Sequence, residues 1–364
     1  MEIRFFARRS TRRMRDYAAL PPMLLTDGEL LEALEDESVD LDVERPEGDW
    51  QPIDVRDLAG WAACPLLPRR FIDGKDVGHT VAWLQSDEGY PVPVRLSQIG
   101  AIALRVVDGQ LRREEVVPLE RVVSMIIDLF PWDEVEELAI DLREQGFRLL
   151  PSERPDGPGE LFDFERMRKT TQNRSNDEMI RLERQMLAGG VDVPTVVDGR
   201  LDPRSGAFDA ATDAVVGVVK AHNKAYLHPQ GWRVFYNLEP GQRTPAFHLR
   251  RVEGLPGDQA TRAGRLNVEV VTWYLRLDGN RGELPNWGIV RVELPWKYFD
   301  QTLGGDFGAV NLLSRALCEY RCRDAGYGRA PVSLYPIQRA EESLGSIFAP
   351  TDQLAHRFYR LSGL

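Results

Sequence analysis

Two carboxylates stand at the ends of short apolar runs, Asp73 in Phe71-Ile72-Asp73-Gly74 and Asp198 in Val196-Val197-Asp198-Gly199. Either one alone is ordinary turn chemistry, because Asp-Gly is a favoured turn pair. Together, with a charged helical stretch between them, they suggest more, since strand ends on one sheet edge are where α/β proteins place ligands. That helical stretch carries Asp177, Glu178, Glu183 and several arginines. Most of these belong on a solvated face. Met179, Leu182 and Met186 mark an apolar stripe, and Glu183 lies beside it, placed to point at the sheet, with Glu178 as the fallback. A helical Glu and two strand-end Asp residues make a carboxylate cluster suited to two divalent ions, Mn²⁺ or Mg²⁺. Two such ions about 3.5–4 Å apart activate a water and stabilise the leaving oxygen in phosphodiester cleavage.

Basic residues supply the complementary charge. Lys220 closes the run Val-Val-Gly-Val-Val-Lys; it is either a snorkelling surface residue or a neutraliser of the scissile phosphate. Arg276 and Arg291 alternate with apolar residues on two late strands, followed by Glu293. They read as paired charges at a sheet edge or as a wall that tracks phosphates. Other chemistries lack their motifs. There is no Walker-type phosphate loop and no Gly-x-Ser-x-Gly elbow. His222, Asn223 and Lys224 are adjacent, but the 5 histidines are too scattered for a His-rich metal site.

Strands must hold the two aspartates. One ends at Phe71–Gly74, a second opens at Gly78 and runs through Leu84, and Ile99–Val107 is a third. Helical periodicity covers Trp132–Glu144, where Val135, Leu138, Ala139 and Leu142 share a side, and then Phe162–Leu187. Val193–Asp198 and Val215–Lys220 read as strands. Leu227–Leu266 reads as loops with one short strand near Phe247. Asn267–Leu277 and Gly288–Leu294 are strands, Phe307–Arg323 is helical with Cys318 and Cys322 inside it, and Glu341–Ile347 begins a short last helix. This order implies an α/β fold with a mixed sheet.

The 364 residues are 43% hydrophobic and 28% charged, the profile of a globular chain with one elaborated core or two domains. Residues 1–65 read as an appendage. A basic cluster of Arg8, Arg9, Arg12, Arg13 and Arg15 precedes a short helix at Leu30–Leu34, entered near Thr26, and an acidic stretch from Glu29 to Glu47. The main domain is then 66–364. The 3 cysteines lack the companions of a zinc site and read as free thiols of a reducing compartment. No apolar run is long enough to span a membrane and no secretory signal is visible, so a cytoplasmic location is expected. The net charge of −11 argues against a free-standing, nonspecific DNA-coating protein.

In order and spacing, these motifs resemble the NurA nucleases. The resemblance runs from about residue 69 to 348 through Asp73, Arg-Leu-Glu at Glu183, Asp198, Gly-Val-Val-Lys at Lys220, Arg-Val-Glu-Leu-Pro at Glu293, and Leu-Tyr-Pro-Ile-Gln-Arg-Ala-Glu at Glu341. It implies an RNase H-like fold with inserted loops, in which a mixed sheet is flanked by helices. It also implies a divalent-metal nuclease, commonly Mn²⁺-dependent, that degrades DNA ends 5′ to 3′ and cuts single strands. Members are typically homodimers that dock on HerA, a hexameric ATP-driven DNA translocase, in end resection for DNA repair or in phage defence. By this resemblance Asp73, Glu183, Asp198 and Glu341 hold two metals, and Lys220 assists at the phosphate. Lys75 joins Arg276 and Arg291 among the DNA contacts.

Two positions depart from the family pattern. Glu341 stands where the family usually has a His, which favours harder metals and adds negative charge. Lys75 stands where a small Ser is common. An acidic chain suits a nuclease fed by a translocase, because it need not grip DNA alone. Two further readings remain: a catalytically weakened structural subunit that binds the translocase and gates DNA, and an RNase H-like enzyme acting on RNA.

Overall fold

A computed structural model of the chain describes residues 36–86, 88–153, 163–202, 205–220, 226–253, 266–279 and 286–362. The arginine cluster at Arg8–Arg15, the helix expected at Leu30–Leu34 and the His222-Asn223-Lys224 triplet lie outside the described residues. In chain order the strands are β1 (Asp36–Asp40), β2 (Ile53–Asp54), β3 (Arg70–Gln85), β4 (Pro91–Val107), β5 (Gln110–Arg113), β6 (Leu119–Ile126), β7 (Arg148–Ser152), β8 (Thr195–Asp198), β9 (Val215–Val219), β10 (Gln242–Arg243), β11 (Phe247–Glu253), β12 (Leu266–Arg276) and β13 (Ile289–Pro295). The helices are α1 (Trp132–Glu144), α2 (Phe164–Ala188), α3 (Pro229–Asn237), α4 (Phe307–Glu319), α5 (Tyr335–Ile347) and α6 (Thr351–Ser362). The fold is mixed α/β, and the chain divides into two compact units. The first holds residues up to 65 with 218–334, the second 66–217 with 335–364.

The second unit carries Asp73, Lys75, Glu178, Glu183, Asp198 and Glu341. Its sheet runs β8-β3-β4-β6-β7. The β3/β8 and β6/β7 pairs are parallel, and the β3/β4 and β4/β6 pairs antiparallel. Helices lie on both faces. On one, Ile102 and Leu104 of β4 pack with Ala340 and Leu344 of α5. On the other, α2 lies along β3, its N-terminus capped by the Asp163 carboxylate, which accepts from the Arg166 N–H at 3.0 Å. The side of α2 turned inward is unusually polar, with Thr171, Ser175 and Glu178 buried beside Met167, Leu182 and Met186.

In the first unit β1-β11-β12-β13 form an antiparallel meander, with β10 joining β12 to β2. The N-terminal stretch expected to be an appendage therefore enters a sheet in its described part, as Asp36–Asp40 pairs with His248–Val252. All three cysteines are buried thiols outside any disulfide.

Four sequence expectations need correction. Residues 70–85 form one continuous strand across the expected turn at Asp73-Gly74, with a single register shift between Thr80 and Ala82. The reason is that Gly74 serves close packing and not a turn. A Cβ there would lie 2.6 Å from Glu183 Oε1 and 2.9 Å from Met179 Cγ. Within the segment read as loops, α3 forms instead. Its signals were an N-cap, where His228 Nδ1 accepts from the Gly231 N–H at 2.9 Å, and a proline in the first turn. The helix from Phe307 stops at Glu319, so Cys322 lies beyond it, its N–H bonded to the Ser333 carbonyl at 2.8 Å. The helix carrying Glu341 starts earlier, at Tyr335, and α6 follows it.

Candidate functional site

The parallel ladder between β3 and β8 pairs Phe71 with Val196 and Ile72 with Val197. The next step of that register sets Asp73 beside Asp198. Parallel neighbours in register share a face, so two carboxylates from distant parts of the chain meet at the end of β8. There Gly199, with φ of 125°, adopts a backbone conformation that only glycine takes easily and turns the chain away. Asp73 is 5% exposed and Asp198 is half-buried.

Alternation along β3 then assigns faces. Asp73, opposite Ile102, and Lys75, opposite Gly100, point towards α5. Glu341, one residue beyond buried Ala340 on that helix, meets Lys75: Nζ to Oε1 is 3.4 Å. Gly345, one turn further on, lies against the same ammonium, since a Cβ on it would be 3.5 Å from Lys75 Nζ. Asp73, Lys75, Asp198 and Glu341 thus belong to one face of the sheet.

Glu183 approaches β3 from the other face, over Gly74. It lines a small cavity of about 50 Å³ with Arg184, Val197, Asp198, Arg200 and Leu201. Asp198, the last residue of β8, therefore borders both groups. Four and eight residues earlier on α2, Met179 and Ser175 follow the same strand. The Ser175 hydroxyl donates to Asp76 Oδ2 at 2.9 Å, and Arg95 Nη2 donates to the same oxygen at 3.2 Å.

Glu178, the alternative helical glutamate, has a different role. Its carboxylate is 6% exposed and is held by Arg148 and Arg181, with Arg174 at 3.8 Å. Burial pushes its pKa up, but hydrogen bonds and charge from Arg181 and Arg148 outweigh it and hold the group below the ordinary glutamate value. A carboxylate so saturated by guanidinium groups is a structural partner.

Three basic candidates fall in the first unit. Lys220 follows β9 and is half-buried. Arg276 is 1% exposed, and its guanidinium donates to the Trp287 carbonyl at 2.9 Å. Arg291 is 3% exposed, donates to Glu293 Oε1 at 2.8 Å and lies over the Tyr226 ring at 4.9 Å. Arg251 also donates to Glu293, at 2.9 Å. Arg291 thus carries the internal charge pair and Arg276 a bond to a backbone carbonyl, and both residues are buried.

The donor chemistry of Asp73, Asp198, Glu183 and Glu341 suits a hard divalent cation. Their positions do not make a metal set. Among the described residues no group of three or more His, Cys, Asp or Glu converges closely enough to hold an ion. Two reasons are geometric: Glu183 comes from the opposite face, and Glu341 faces an ammonium. Among the described residues no helix is long and apolar enough to cross a membrane.

No protein-family model matches the chain, and no curated protein matches it. Among solved structures, the NurA nuclease from Sulfolobus solfataricus aligns with 81% of this chain and 81% of its own, at a TM-score of 0.35 and 10% identity.

Proposed function

We propose that this chain is a phosphodiester-cleaving DNA nuclease of the NurA type, built on an RNase H-like sheet around Asp73 and Asp198. The observation that carries the reading is the adjacency of these two aspartates on parallel strands, in the order and motif context that resembles that family. Two neighbouring carboxylates orient an attacking water and accept its proton, and the Lys75 ammonium beside them offsets phosphate charge. The reading includes dependence on Mn²⁺ or Mg²⁺, 5′-to-3′ exonuclease and single-strand endonuclease activity, and a homodimer working with a HerA-like hexameric translocase in DNA repair or anti-phage defence. Among the described residues the carboxylates as placed do not converge on a metal ion.

That same observation favours a second reading, a structural subunit of a translocase complex with weakened catalysis. The test is digestion of end-labelled linear DNA with Mn²⁺, Mg²⁺ or EDTA, by the wild type and Asp198→Ala, alone and with a co-purified partner. Metal-dependent digestion that disappears in Asp198→Ala is expected. Silence under every condition, partner included, overturns the nuclease reading in favour of the structural one. Competition with labelled RNA of the same sequence separates a DNA enzyme from an RNA enzyme.

A further inference from the structure

Strand β3 is far longer than the neighbour that pairs its outer side. Its ladder with β8 covers only Arg70–Ile72, whereas β3 runs on to Gln85 with β4 along its other side. Among the described residues no strand pairs with β3 on the β8 side beyond Ile72. An open edge presents backbone donors and acceptors to any incoming strand, and soluble proteins guard such edges with charge, proline or a bulge. Here the guard is slight. From Val77 to Gln85 the strand has no Asp, Glu, Lys, Arg or Pro, and Val77, Thr80, Val81 and Trp83 favour extended backbone. The irregularity between Thr80 and Ala82, where the Val81 carbonyl accepts from the Tyr359 hydroxyl at 3.1 Å, interrupts the edge at that one position. Val77 is 36% exposed and Trp83 47%, and the Trp83 ring meets the equally exposed Phe164 ring edge-on at 5.8 Å. We infer that this edge is where a second copy of the chain docks, by antiparallel pairing of β3 with β3 about a two-fold axis. The occupant follows from charge. An edge without charged side chains meets its own copy without like-charge repulsion, although the chain as a whole carries −11. Trp83 and Phe164 at its flank supply apolar area that backbone pairing alone lacks. Pairing β3 with itself makes one continuous sheet, so Asp73 of both copies lies on the same face. Asp73 is about six to eight residues from such an axis, roughly 20–26 Å at the strand rise, which sets the two candidate sites about 40–50 Å apart.

The inference rests on the homodimer included in the reading above and gives it a surface, and its test needs no DNA. Molar mass is measured by sedimentation over a range of protein concentrations for wild type, Val77→Lys/Trp83→Lys and Trp132→Lys. The double variant sets like charges across the proposed axis at two exposed positions. Trp132, 62% exposed on α1, is an apolar control on a different element. Wild type and Trp132→Lys are expected to be dimers, and the double variant to dissociate at least about tenfold more readily. Amide hydrogen exchange of the wild type gives an independent readout should the double variant fail to fold. Exchange across Val77–Gln85 is expected to slow at least about tenfold as rising concentration fills the dimer. A monomeric wild type, a double variant that dimerises like wild type, a dimer lost equally in Trp132→Lys, or edge exchange insensitive to concentration overturns the inference. Metal-dependent digestion by a monomer would leave the nuclease reading standing, and a dimer at this edge that never digests DNA would sink that reading alone.

Discussion

Both faces of β3 carry carboxylates, and the cations that meet them differ in kind. On the α2 face, Asp76 is matched by Arg95 and Ser175, and Glu178 by Arg148, Arg181 and Arg174, while Glu120 shares Arg148 and Arg181. On the α5 face, Glu341 meets Lys75, a compact charge on a flexible stem that cannot make the forked contacts of a guanidinium. Buried carboxylates matched by arginine hold a helix in place. Asp73 and Asp198 of the α5 face are the carboxylates that the proposed function uses. Function and stability are therefore separable by mutation, face by face.

The largest contrast is expected from Asp73→Asn. It should cut DNA cleavage by on the order of 10²–10⁴-fold, the usual scale for losing a group that acts at the reacting centre. Stability should change little, because Asn keeps the size of this buried side chain and one acceptor oxygen. Cleavage rates and thermal unfolding of the same preparation check this. A fall in melting temperature alongside intact cleavage would make Asp73 structural and erase the contrast.

Glu178→Ala is the mirror experiment. Removing one partner of a buried, hydrogen-bonded charge pair costs about 3–5 kcal/mol when the other charge is left buried. Here Arg148 and Arg181 are about half exposed (47% and 50%) and regain water, so a loss of about 1–3 kcal/mol is expected. Urea unfolding measures it, and cleavage per folded molecule should stay at the wild-type level. A stable Glu178→Ala protein that cannot cut DNA would move the helical glutamate of the site from Glu183 to Glu178.

How much of this could be read beforehand differs between the faces. The stripe on α2 and the strand before Asp198 were legible, because apolar spacing and an Asp-Gly strand end are local signals. The identity of β3 as one strand was not. Gly74 and Gly78 look like turn residues in sequence, and only the approach of Glu183 and Met179 to Gly74 shows what the absent side chain is for. The inward polar side of α2 was also hidden. The partners of Ser175 and Glu178, namely Asp76, Arg95 and Arg148, come from distant strands, so no local signal marks these positions as buried. The other unit shows the same limit: alternation marked Arg291 and the Glu293 after it, but only the fold brings Arg251 to the same carboxylate. The helix at Pro229 was missed for a different reason. Its cap is a histidine nitrogen in place of the usual hydroxyl or carboxylate, and the glycine and prolines around it look like loop.

The smallest effect concerns pH, and it isolates the arginine-matched face. The folded Glu178 carboxyl is held below its ordinary value near 4.5, so it binds a proton less readily folded than unfolded. Its contribution is therefore complete above the unfolded value and is lost as pH falls through the lowered folded value. Asp54 beside Arg56 and Asp192 beside Arg105 are also held low, and they give the wild type an acid-side loss of its own. Subtracting the Glu178→Gln profile from the wild type removes that common background. The difference in melting temperature should be constant from neutral pH down to about 5 and shrink as the pH falls further, past the ordinary glutamate value. A difference that holds steady through this range would mean that the arginines position Glu178 without stabilising its charge. The α2 face would then owe its order to the packing of Met167, Leu182 and Met186.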